Sequence, residues 1–101
     1  MIVIAGHVSL DPKQREPAIT AAREMMLETR KETGCVSYTF SADLEQPGRF
    51  RIFEEWESDE ALRAHFASPH MAHFQKAVAG LGVTEMAVQR YEVAKVGPLR
   101  P

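Results

Sequence analysis

Residues 50–74 read FRIFEEWESDEALRAHFASPHMAHF, and this stretch decides the fold. Phe50, Ile52, Glu54 and Trp56 alternate with Arg51, Phe53, Glu55 and Glu57, the period of two expected of a β-strand over residues 49–57. Ser58 then supplies a helix N-cap, with Asp59 and Glu60 in the first turn, where the helix dipole favours negative charge. That helix runs to about Ala67. Ser68-Pro69 restarts it as cap and first residue, and Met71, Phe74 and Val78 form the apolar stripe of a second helix ending near Ala79. The one tryptophan, Trp56, closes the strand, and three of the four histidines follow it.

Upstream, residues 35–43 (CVSYTFSAD) alternate with Val36, Tyr38, Phe40 and Ala42 on one face. The Pro47-Gly48 turn then folds this strand back on the next as an antiparallel hairpin. Residues 2–10 are β-branched or apolar at both parities, so both faces of this strand need cover, and His7 shares a face with Val3 and Ala5. Asp11-Pro12 opens a helix over residues 13–33. Its inner face is Ile19, Ala22, Met26, Thr29 and Thr33, with Arg23, Lys31 and Glu32 pointing away. Pro17 fits only in the first turn of that helix, and Gly34 stops it. Gly80-Leu81-Gly82 precedes a last strand over residues 83–96, carrying Val88, Tyr91 and Val93, and the tail GPLRP is loose or an arm on a partner.

The order β-α-β-β-α-β is the α+β ferredoxin-like pattern, and residues 1–101 read as one domain. Helices cover one face of such a sheet. The other apolar face requires a partner, which predicts a homodimer packed sheet to sheet.

Composition narrows the function. A net charge of -2 with interspersed signs gives no electrostatic footprint for nucleic acid or an anionic membrane. No apolar run approaches the ~18 residues of a membrane span. The N-terminus lacks a signal-peptide pattern, and one cysteine excludes an internal disulfide, so a cytoplasmic location is expected.

The opening HVSL-DP, the ETGCVSYTF stretch and above all FEEWESDEALRAHFASPHMAHF resemble the antibiotic biosynthesis monooxygenase superfamily. The last stretch is similar to a pattern of its bacterial quinol monooxygenases. The resemblance implies a dimeric α/β barrel and oxygenation, by O2, of a hydroquinone or related electron-rich aromatic, with no cofactor: no flavin, no haem, no metal. The superfamily's polyketide oxygenases carry an asparagine four positions before the strand tryptophan, where this chain has Ile52. That speaks against the polyketide substrates. His7, His65 and Gln75 stand in the regions used by the haem-degrading branch, and haem is not expected.

Within this frame His65 is the expected base. It flanks the Leu62/Phe66 face of its helix and can point into the space between helix and sheet, where a histidine titrates near operating pH. His70, at the rim of the second helix's core stripe, is expected to assist. Trp56 offers a flat wall and one N–H donor. Glu54, a carboxylate among aromatics, needs a partner, either His65, His7 or an arginine of a second copy. Tyr38 lines the same cavity, and Phe53 or Phe66 helps to dry it. Zinc or iron held by His65, His70, His73 and Glu54 is not expected, because the histidines straddle a helix break without tight ligand spacing. Two other readings stay open. One is an isomerase of a phosphorylated quorum-signal sugar, with phosphate at the helix N-termini near Ser58 or Ser68. The other is a non-catalytic small-molecule-binding dimer.

Overall fold

The computed structural model describes residues 1–101. Four strands, β1 (Ile2–Leu10), β2 (Cys35–Ala42), β3 (Arg49–Trp56) and β4 (Val83–Glu92), and three helices, α1 (Arg15–Thr29), α2 (Asp59–Phe66) and α3 (Pro69–Val78), follow the expected order. The sheet order is β2-β3-β1-β4, antiparallel throughout. This is the ferredoxin-like α+β fold.

β1 is central and pairs on both edges, which explains its apolar composition. Gly6, at φ 155°, lies so close to β4 that a side-chain carbon would overlap the Ala87 carbonyl oxygen. The β1–β4 pairing runs from Leu10↔Val83 to Ile2↔Glu92, and Val93 N–H donates a last bond to the Met1 carbonyl. β1 then offers no further partners, so β4 stops at Glu92 rather than reaching residue 96.

α1 is shorter than its sequence suggests. A 3₁₀ turn over Pro12–Gln14 precedes it, capped by Asp11, whose carboxylate accepts from Lys13 N–H. Pro17 falls in its first turn, as expected. The helix ends at Thr29, not near residue 33. Lys31 and Glu32 donate backbone bonds to the carbonyls three residues back, at Glu28 and Thr29. That tightening unwinds the α-helix, and Gly34 at φ 85° turns the chain into β2. The buried face is Ala18, Ala22, Met25 and Thr29. Ile19 and Met26, expected innermost, are half-buried flanks, because the two small alanines bring the helix closest to the sheet.

β2 carries a bulge. Cys35 pairs with Trp56 and Ser37 with Glu55, leaving Val36 as an extra residue. Val36 is therefore exposed and does not share the inner face with Tyr38. After the bulge Tyr38 pairs with Glu54 and Phe40 with Ile52. The hairpin loop is fixed by Asp43, whose Oδ1 accepts from Glu45 and Gln46 N–H at 2.8 and 3.0 Å. These two bonds hold its carboxyl below the usual range.

Both later caps form as the sequence predicts. Ser58 Oγ accepts from Ala61 N–H, and Ser68 Oγ accepts from Met71 N–H with Pro69 as the first residue of α3. The main core is Ile2, Met25, Tyr38, Trp56, Leu62 and Met71, and a smaller cluster holds Leu10, Ala18, Phe50 and Leu81. All of it lies between the helices and one face of the sheet. Residues of opposite parity, including His7 and Phe53, face away from the helices, and Phe53 is 46% exposed.

Candidate functional site

The site is built where β3, β2 and the α2–α3 break meet the end of α1. β3 aims Glu54 and Trp56 at the helices, and the bulge in β2 places Tyr38 beside Glu54. α2 brings His65, and the first turn of α3 brings His70. Trp56 and His65 are both 0% exposed, with ring centres 4.7 Å apart and planes tilted by 37°. Tyr38 meets His65 edge-on at 5.4 Å and Trp56 at 6.5 Å. An imidazole is thus enclosed by two aromatic walls.

Glu32 completes the cluster. Its Oε2 lies 2.7 Å from Nδ1 of His65 and 2.7 Å from Nε2 of His70. Nε2 of His65 is buried and has no hydrogen-bond partner. Burial depresses the His65 pKa below 6.5; the Glu32 bond and charge oppose that shift, while the charge of His70 adds to it. Burial therefore favours the neutral ring. Ser68 Oγ donates to the His65 carbonyl at 2.6 Å, joining the histidine's backbone to the cap of α3.

Glu54 has a partner within its own strand: Trp56 Nε1–H donates to its Oε1 at 2.8 Å. Neither His65 nor His7 fills that role. Burial pushes the Glu54 pKa up to about 7, with the indole bond pulling down and the charge of Glu32 pushing up. Burial, then Glu54, drive the Tyr38 hydroxyl far above its usual range. Burial also raises the Cys35 thiol, which makes it a poor nucleophile.

The structure brings together His65, His70, Trp56, Glu54 and Tyr38 from the expected set. Phe66 stands at the edge, its ring 5.6 Å from His65 but 58% exposed. His7 and Phe53 lie on the opposite face of the sheet. His7 there bonds Glu85 at 2.7 Å, so neither residue reaches this cluster within one chain. His73 is exposed, 3.7 Å from Glu24. Glu32 is the residue that sequence reasoning missed. A helix extended to residue 33 turns it outward, whereas a helix ending at Thr29 swings it in. Gly34 placed the expected stop four residues late, and no local signal in residues 30–33 marks the earlier one.

Glu32, His65 and His70 offer three ligand atoms within 4.8 Å of one another, a set of a kind that could hold a divalent cation. Their 2.7 Å spacings are hydrogen-bond distances, shorter than the roughly 3.4 Å between two ligands of a tetrahedral zinc. The serine oxygens at both helix N-termini are occupied by their own caps, and Arg90 near Ser58 is spent on Asp59 at 2.6 Å. No cationic phosphate cradle accompanies them. A groove of about 510 Å³ between α1 and α3 is lined by Met25, Phe74, Glu24, His73 and His70. His65 lies behind the wall that His70 forms, their ring centres 6.1 Å apart.

Fold and site together define a small α+β protein with a histidine–carboxylate cluster packed among buried aromatic side chains. Residues 1–77 match the model of the family described as antibiotic biosynthesis monooxygenase, and the chain belongs to that family. It is 30% identical over 98 residues to the Synechocystis protein sll1783, whose name carries no activity, covering 97% of this chain and 67% of that one. It is 27% identical over 99 residues to the protein named "Probable quinol monooxygenase YgiN" of Escherichia coli K12, covering 88% and 94% of the two chains. Among solved structures, a Deinococcus radiodurans protein assigned to the same family superposes with a TM-score of 0.91 at 29% identity over 100% of both chains. Rv0793 of Mycobacterium tuberculosis gives 0.84 at 28% identity, covering 96% and 97%.

Proposed function

We propose that this protein is a cofactor-independent monooxygenase acting on a hydroquinone or a related electron-rich aromatic, with His65 as its base. The observation that carries this reading is the state of His65. One ring nitrogen is bound to a carboxylate, and the other is buried beside two aromatic walls with nothing to bind. A polar atom left unpaired in such surroundings costs about 1–3 kcal/mol, and a substrate hydroxyl would supply the missing partner. Membership in the family and the name of the E. coli relative support the substrate class.

Deprotonating a hydroquinone hydroxyl makes an anion that gives an electron to O2 far more readily than the neutral diol. The stoichiometry closes without an outside reductant. One oxygen atom enters the ring, the other leaves as water, and the hydroquinone supplies both hydrogens of that water as it becomes a hydroxyquinone. Trp56 and Tyr38 enclose the His65 ring, and exclusion of water there strengthens the electrostatics as the anion forms. The working unit is a homodimer joined through the helix-free face of the sheet.

The test is oxygen uptake, corrected for autoxidation, on a panel of benzo- and naphthohydroquinones with metal-chelated protein. Wild type is expected to exceed the autoxidation rate, and His65→Ala to lose about tenfold or more in kcat. Uptake at the autoxidation rate across the panel would reject the quinol reading and leave a binding protein.

A further inference from the structure

We propose that Glu32 is the positioning residue of this site, and that His70 acts on the reaction through Glu32 rather than by touching substrate. The inference rests on the reading of His65 as the base.

An ionised carboxylate oxygen only accepts hydrogen bonds. Oε2 of Glu32, 2.7 Å from Nδ1 of His65 and from Nε2 of His70, therefore faces an N–H from each ring. A neutral imidazole carries a single N–H, so a proton on Nδ1 of His65 leaves its Nε2 as a bare lone pair. Nε2 is the nitrogen without a partner, the atom a base must present. Glu32 thus selects the tautomer that is competent for proton abstraction. When His65 takes a proton, the same carboxylate stabilises the imidazolium.

Glu32 comes from the irregular segment after α1, where backbone geometry does little to hold a long side chain. The bond from His70 supplies the second restraint. His70 has its Nε2 committed to the same oxygen of Glu32 and is partly open to solvent. It closes the line Nε2–His65–Nδ1, Glu32, His70 from the buried nitrogen to the groove that His70 lines. Loss of such an outer partner in other proteins costs about 10–100-fold.

The experiment begins without substrate. Histidine side-chain ¹⁵N NMR of wild type is expected to show His65 protonated at Nδ1 and bare at Nε2. Glu32→Gln, which keeps an acceptor oxygen, is expected to retain that tautomer with a lower His65 pKa. Glu32→Ala is expected to lose the preference. With a hydroquinone that wild type turns over, Glu32→Gln should lower kcat about tenfold with KM within about twofold. His70→Ala should lower kcat about threefold at unchanged KM, and His70→Gln, whose amide donates from a similar place, should restore most of it. An unchanged His65 tautomer and pKa in both Glu32 variants would overturn the proposal. So would a raised KM at constant kcat in His70→Ala, which would put His70 on the substrate. Stoichiometric zinc uptake by chelated protein, abolished in Glu32→Gln, would make the cluster a metal centre and overturn it as well. If no hydroquinone is turned over, the oxygenase reading fails, while the NMR arm still decides the role of Glu32. Glu32→Gln, nearly isosteric, carries that decision if Glu32→Ala does not fold.

Discussion

At the scale of single residues, Glu54 and His65 are two buried titratable groups whose effects on stability oppose each other. Burial raises the Glu54 pKa from 4.5 to about 7. Below pH 4.5 the folded and unfolded chains both hold this proton, so the group is neutral in the balance. As pH climbs from 4.5 to about 7 the unfolded chain releases it first, and stability falls by roughly 3 kcal/mol before levelling off. Glu54→Gln keeps an oxygen for the Trp56 N–H and removes the titration. It should match wild type at pH 4 and exceed it by about 3 kcal/mol at pH 8 in chemical denaturation. An equal difference at both pH values would refute the assigned cause. His65 has the opposite sign. Its pKa is lowered in the fold, so its contribution is present above 6.5 and is lost as pH falls towards the folded value. The two slopes overlap in the same acidic window and partly cancel, which makes the Gln variant the way to see either.

At the scale of elements, the joint between α2 and α3 matters most. Ser68 accepts from Met71 N–H and donates to the His65 carbonyl, so one hydroxyl caps α3 and anchors the base. Ser68→Ala should cost about 1–2 kcal/mol and broaden the His65 ring signals. A variant as stable as wild type with an unchanged His65 environment would assign the anchoring elsewhere. This joint was readable in the sequence because its signals are local: a capping serine, a proline at the first helical position, an apolar stripe. The same holds for β3, whose alternation gave Glu54 and Trp56 their common face. α1 was less readable. Residues 30–33 have ordinary helical composition, and the stop at Thr29 comes from burial of that end against the core, a tertiary effect. Glu32 went unseen for the same reason. The pairing of Glu54 with Trp56, two residues away in the same strand, was hidden by the expectation that a buried acid seeks a distant base.

At the scale of the whole molecule, the sheet has one dressed and one bare face. Phe53, with Ala5, Thr39 and Gln89 as its row across the sheet, sits on the bare one. Phe53→Glu would bury two unpaired carboxylates per two copies, one from each, only if that face is an interface. Light scattering should then report a dimer for wild type and a monomer for the variant at equal concentration. A dimer in both would place the contact on another surface. The bulge at Val36 sets which side chains each face receives. Were Val36 paired with Glu55 instead of left over, Tyr38 would fall opposite Phe53 rather than Glu54, and Ser37, Thr39 and Ser41 would look towards the helices. Closing the bulge at full chain length would exchange inward aromatics for a row of hydroxyls, whereas deletion of Val36 would close it and leave Tyr38 opposite Glu54. The bulge is therefore a parity setting, and the way the backbone accommodates one extra residue governs which side chains surround His65 as much as their identity does.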